Sequence, residues 1–104
     1  MQVQVNSDHH ITGSPSVAER VDAILEDSIG RFGDRITRVE VYMSDVNGPK
    51  HGESDKQVTL EAHVAGAAPV VVKHAAPTLL AAIEAASIKL ERALDHAFGR
   101  LNAR

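Results

Sequence analysis

The chain has 104 residues, 43% of them hydrophobic, which is enough for one compact domain and too little for two, so we expect residues 1–104 to form a single domain. The formal net charge of −3 argues against a strongly basic nucleic-acid binder, and the lack of cysteine excludes disulfides and thiolate metal sites. No apolar run reaches the ~20 residues that span a bilayer, and the first residues lack the pattern of a signal peptide. We therefore expect a cytoplasmic protein with no membrane partner.

The chain begins with a predicted strand followed by a predicted helix. Apolar residues (Met1, Val3 and Val5) alternate with glutamine over residues 1–5, which is the period of a half-buried strand. Ser-Pro-Ser at residues 14–16 provides two candidate caps for a helix, with the proline at or near its first position. We expect this helix to end near one of two glycines, residue 30 or residue 33.

Three further strands are predicted in the middle of the chain. Apolar and polar residues alternate over residues 36–44 and again over residues 56–64. The connection between them, residues 45–55, is rich in turn-forming and charged residues and is predicted to be a mobile loop. Residues 66–69 predict a tight reversal into a β-branched fourth strand at residues 70–74.

The predicted element order is β-α-β-β-β-α, which indicates an α+β fold. A four-stranded sheet with both helices packed on one face would cover the apolar stripes of the helices and the apolar face of the sheet. The other face would be open to solvent, as antiparallel sheets allow. We expect that face to carry Arg38, Glu40, Tyr42, Thr59, Glu61 and His63.

The last helix is the most informative segment, because its polar residues are sorted by charge. Thr78 can cap it, or Pro77 can occupy its first position. At 100° per residue, leucine and isoleucine form one apolar stripe. Almost opposite lies a set that we call the basic stripe: Lys89, Arg92, His96 and Arg100. An acidic flank lies between the two: Glu84, Glu91 and Asp95.

Two interpretations of the basic stripe are open. Lys and Arg can neutralise phosphates of a nucleic acid and so provide affinity without reading bases. Alternatively, cations near a helix C-terminus complement the helix dipole, and the acidic flank pairs with them locally. The charge distribution favours an anionic partner, because residues 1–72 have a net charge of −5 and residues 73–104 a net charge of +2.

Two segments resemble a known family. Residues 81–94, Ala-Ala-Ile-Glu-Ala-Ala-Ser-Ile-Lys-Leu-Glu-Arg-Ala-Leu, resemble the closing helix of the ribosome hibernation-promoting factors and ribosome-associated inhibitors. That helix typically reads Ala-Ala-Ile-Asp, a short spacer, and Lys-Leu-Glu-Arg-Gln-Leu. Residues 31–41 are similar to the passage from the first helix to the second strand in the same family. The chain resembles the short type, which lacks the additional C-terminal domain of the long forms.

This resemblance implies a fold similar to that of double-stranded-RNA-binding domains and a place on the small ribosomal subunit, where mRNA and tRNA would otherwise bind. It implies an inhibitor of translation that acts under stress. Lys89 and Arg92 match the basic pair of the family's last helix and are the first candidates for contact with rRNA phosphates. The full set of predicted RNA-binding residues is Lys89, Arg92, His96, Arg100, Lys73, Arg35 and Arg38.

Other functions have less support in the sequence. Six histidines are present, but no two have the i, i+4 spacing of a helical zinc site, so we predict no metal and no cofactor. Gly-rich phosphate loops and a Gly-x-Ser-x-Gly elbow are absent, and we do not expect an enzyme. Glu61 and His63 share one strand face, as an acid–base pair would, but such pairs are common on solvated sheets. The alternative function is an acidic protein-interaction module or stress regulator that does not bind RNA. Independently of function, an edge strand of the sheet is a candidate interface for a homodimer.

Overall fold

The computed structural model describes residues 1–7, 15–45 and 56–102. Strand β1 comprises Gln2–Ser7, and helix α1 comprises Pro15–Ile29. A 3₁₀ helix, Gly30–Arg35, connects α1 to strand β2, Ile36–Asp45. The remaining elements are strand β3 (Lys56–Val64), strand β4 (Val70–Ala76) and helix α2 (Leu79–Asn102).

The four strands form one mixed sheet in the order β1-β2-β3-β4. Strand β1 runs parallel to β2, and helix α1 provides the crossover connection that parallel neighbours need; the other neighbours are antiparallel. The predicted β-α-β-β-β-α order and the α+β class are confirmed. The edges of the sheet are therefore β1 and β4.

Both helices contribute to one core with the inner face of the sheet. Alternate residues of β2 and β3 are buried, among them Val41 and Leu60, which lie opposite each other. Helix α1 contributes Val21, Leu25 and Ile29 to this core. Helix α2 contributes a stripe of buried residues: Ala82, Ile83, Ala86, Leu90, Leu94 and Phe98. The opposite face of the sheet, which we call the outer sheet face, carries the six polar residues predicted to lie there.

The end of α1 agrees with the sequence prediction, whereas the bounds of some strands differ. Helix α1 ends at Ile29, next to Gly30, one of the two glycines predicted near its end, and the chain continues as a 3₁₀ helix to Arg35. Strand β4 extends two residues further than predicted, to Ala76, because these residues keep pairing with the start of β3. The predicted reversal before β4 is present, and Gly66 in it has a φ of +75°, which glycine adopts without strain. Asp45, the first residue of the predicted loop, belongs to β2, and the rest of that loop, residues 46–55, lies outside the described residues, as does the candidate cap Ser14.

Thr78 is the N-cap of α2. Its Oγ1 accepts a hydrogen bond from the Ala81 backbone N–H at 3.1 Å, which satisfies one of the amides that the first helical turn leaves unpaired. We expect Thr78→Ala to lower the free energy of unfolding by about 1 kcal/mol. Urea denaturation of both proteins measures the difference, and Thr78→Ser, which keeps the hydroxyl, should cost much less. Equal losses in the two variants would contradict a capping role.

No helix in the described part of the chain is long and apolar enough to cross a membrane.

Candidate nucleic-acid interface

The basic stripe lies along the solvent-facing side of α2. Lys89, Arg92 and His96 are all exposed, and they follow each other at intervals of three and four residues on one helix face. Arg100 belongs to α2, but its side chain is outside the described residues. The three described members thus form a continuous surface that a polyanion can reach.

Lys89 connects this surface to the sheet. Its Nζ donates a hydrogen bond to the Lys73 carbonyl oxygen at 3.0 Å, so the stripe lies beside the outer edge of β4. Lys73 is exposed, and its partner in the ladder is Thr59 of the outer sheet face. Because side chains alternate along a strand, the Lys73 side chain belongs to that outer face. The helix stripe and Lys73 therefore meet at the β4 edge of the molecule.

The acidic flank of α2 pairs with a different cation. The Arg31 guanidinium lies 3.7 Å from a Glu91 carboxylate oxygen through Nε and 3.6 Å from an Asp95 oxygen through Nη2. Within the described ranges, no carboxylate lies at ion-pair distance from Lys89, Arg92 or His96. Local pairing of the stripe with the acidic flank, one of the two interpretations open from sequence, is therefore not what the structure shows.

Arg35 lies apart from the stripe. Its guanidinium carbon is 3.9 Å from the centre of the Phe98 ring, a cation–π contact. Phe98 follows His96 by two residues, which corresponds to 200° of helix rotation and places the two on opposite sides of α2. Arg35 thus belongs to a second cluster, in which the rings of Phe98 and Phe32 lie 5.1 Å apart and Arg31 stacks on Phe32 at 4.1 Å.

Arg38 is also separate from the stripe, since it lies on the outer sheet face. Its Nη2 is 3.4 Å from Glu40 Oε2. The structure therefore places the described RNA-binding candidates in three locations. Lys89, Arg92 and His96 lie with Lys73 at the β4 edge, Arg35 contacts Phe98, and Arg38 is paired on the outer sheet face.

The chain matches a family model over almost its whole length. The family is described as Sigma 54 modulation protein / S30EA ribosomal protein, and the match covers residues 3–102. The chain belongs to this family. The resemblance to the ribosome hibernation factors, first apparent in residues 81–94, is thereby confirmed, and the S30EA family is one of ribosome-associated proteins.

Two solved structures share the fold of this S30EA-family chain. A ribosomal subunit interface protein from Coxiella burnetii superposes with a TM-score of 0.78 at 16% identity, covering 95% of this chain and 99% of that one. The N-terminal domain of Protein Y from Thermus thermophilus gives a TM-score of 0.71 at 18% identity, with coverages of 88% and 93%. A comparison with curated protein sequences finds no significant match. At these identities the two structures establish the fold of the S30EA-family chain and not its contacts.

Two contacts between the 3₁₀ helix and α2 were not predicted from the sequence. One is the contact between Phe32 and Phe98, although Phe98 follows Leu94 by four residues and so continues the apolar stripe. The other is the pairing of Arg31 with the acidic flank. Helical periodicity identifies the face of each residue, but only the packing of the 3₁₀ helix against α2 brings these partners together.

Proposed function

We propose that this S30EA-family protein binds the small ribosomal subunit through rRNA phosphates, occupies the path of mRNA and tRNA, and so inhibits translation under stress. The observation that carries the proposal is the basic stripe, whose described cations are exposed and not neutralised by nearby carboxylates. Its primary contacts are Lys89 and Arg92, with His96, Arg100 and Lys73 extending the same edge. Arg35 and Arg38 are secondary contacts, since each already has a partner within the protein.

The proposed interaction depends on charge and shape rather than on base stacking. The chain contains one tyrosine, two phenylalanines and no tryptophan, and both phenylalanines are buried. Proteins that bind single-stranded bases usually present several exposed aromatic rings. Phosphate contacts by Lys and Arg release counterions, so the affinity should fall steeply as salt is added.

Co-sedimentation with ribosomes at a series of salt concentrations tests this mode of binding. Each phosphate contact adds roughly 0.7–0.9 to the slope of log K against log salt. We expect Arg92→Glu to weaken binding about tenfold at moderate salt and to reduce this slope by about one contact. Arg20→Glu is the matched control, because it makes the same charge change at an exposed arginine of α1.

Two results would contradict the proposed interface. If Arg20→Glu and Arg92→Glu weakened binding equally, net charge rather than the basic stripe would govern association. If the wild-type protein did not sediment with ribosomes even at low salt, an RNA interface would be excluded altogether.

A second candidate function, a protein-interaction module, is favoured by a groove between α1 and α2. The groove has a volume of about 390 Å³ and is lined by carboxylates and apolar side chains, with Ile88 48% exposed. No lysine or arginine is among its lining residues in the described part of the chain, which are Ile24, Asp27, Ser28, Glu84, Ser87, Ile88 and Glu91. This chemistry suits a basic segment with an apolar anchor. Loss of partner binding in Asp27→Lys with normal sedimentation of ribosomes would support the second function over the first.

A further inference from the structure

Three metal-ligating side chains converge on the outer sheet face. Glu40 on β2 and Glu61 on β3 are direct partners in the antiparallel ladder, and His63 follows Glu61 by two residues on the same face. His63 Nε2 lies 2.7 Å from Glu61 Oε1 and 3.1 Å from Glu40 Oε2. One nitrogen and two oxygens thus lie within 4.8 Å of one another on the two central strands.

The arrangement places two negative charges opposite each other. Like charges at directly paired positions of a sheet repel and destabilise it, so a cation held between the two carboxylates would stabilise the pair. His63 Nε2 can carry at most one hydrogen, so a hydrogen bond of good geometry can serve only one of the two carboxylates. The three side chains are also half-buried, with exposed fractions of 16% for Glu40, 30% for Glu61 and 22% for His63, so water screens them only in part.

We propose that Glu40, Glu61 and His63 bind one divalent transition-metal ion of the Zn²⁺ type. Imidazole nitrogen and carboxylate oxygen are the ligands that such ions take in proteins without thiolates. At metal–ligand distances of about 2.0–2.2 Å, tetrahedral ligands lie roughly 3.3 Å apart. Both observed distances to His63 Nε2, 2.7 Å and 3.1 Å, are shorter than this, so the side chains must rotate outward to admit the ion. A water molecule would complete the tetrahedron.

Neighbouring side chains already orient Glu40. Burial raises the pKa of this carboxyl, but hydrogen bonds with His63 and Tyr42 and the charge of Arg38 outweigh that effect and hold the pKa below its usual value. Tyr42 and Arg38 would be outer contacts of the kind that commonly fix the ligands of metal sites. Arg38 would also weaken metal binding, because its positive charge near Glu40 repels a bound cation.

Titration of the full-length protein with ZnCl₂, followed by calorimetry in a buffer that does not chelate metals, tests the site. We expect one ion per chain and affinity at least about tenfold weaker in Glu61→Gln and in His63→Gln. Arg38→Gln should instead bind Zn²⁺ several-fold more tightly, because it removes a repelling charge and keeps both carboxylates. Circular dichroism without metal verifies that each variant is folded.

The other histidines supply the controls. His74→Gln should bind Zn²⁺ normally, because His74 pairs with Val58 and so belongs to the inner sheet face. The double variant His9→Gln/His10→Gln should also bind normally. No heat of binding in the wild type at millimolar ZnCl₂ would overturn the proposal. Binding that survives His63→Gln but is lost in the His9/His10 variant would overturn it as well.

Discussion

Lys89→Glu/Arg92→Glu is expected to abolish most ribosome binding, with an affinity about a hundredfold lower than that of the wild type at moderate salt. Hydrogen bonds to charged groups contribute roughly 1.5–3 kcal/mol each, and every 1.4 kcal/mol corresponds to a factor of about ten. The double change also reverses the sign of the stripe, so it repels phosphates that it previously attracted. Co-sedimentation measures the affinity, and a cell-free translation assay should show inhibition by the wild type and not by the variant.

The controls for this variant distinguish the effect of the changed charge on ribosome binding from an effect on folding stability. Lys89→Glu removes the hydrogen bond to the Lys73 carbonyl as well as a charge, so its folding must be measured in parallel. Lys89→Arg/Arg92→Lys preserves both charges and should keep nearly all of the binding. If Lys89→Glu/Arg92→Glu is folded and still sediments with ribosomes as the wild type does, Lys89 and Arg92 are not the contact residues.

The fold could be predicted well because each strand and helix buries one side, which gives its apolar residues a regular spacing in the sequence. Residues of β2 and β3 alternate between the core and the outer sheet face, so their order in the chain was enough to assign Glu40, Glu61 and His63 to one face. The exposure of Lys89, Arg92 and His96 followed from helix geometry in the same way. These assignments depend only on local spacing, which a single sequence contains.

Contacts between elements were not predictable by the same reasoning. The cross-strand pair of Glu40 and Glu61 depends on the register of β2 against β3, which is set by packing along the whole ladder. The position of Arg35 on Phe98 depends on how the 3₁₀ helix meets α2. The family resemblance of residues 31–41 made Arg35 and Arg38 RNA-binding candidates together with the basic stripe, whereas the structure gives each a partner elsewhere.

Phe98→Ala is expected to have the largest effect on stability, lowering the free energy of unfolding by about 3–5 kcal/mol. The Phe98 ring is 3% exposed, packs against Phe32 and supports the Arg35 guanidinium, so its removal leaves a cavity and also breaks a cation–π contact. Small domains are stable by only about 5–15 kcal/mol, so this loss should shift the urea midpoint strongly. A loss below about 1 kcal/mol would show that α2 does not depend on this cluster.

Arg35→Gln separates the structural role of Arg35 from its proposed contact with RNA. Loss of an exposed cation–π contact should cost about 0.5–1 kcal/mol, and most of that cost should disappear when Phe98→Leu is already present. If Arg35 acts only through Phe98, Arg35→Gln will lower stability and leave ribosome binding and its salt slope unchanged. If the slope falls by about one contact, Arg35 also touches phosphate, and the interface extends beyond the β4 edge toward the 3₁₀ helix.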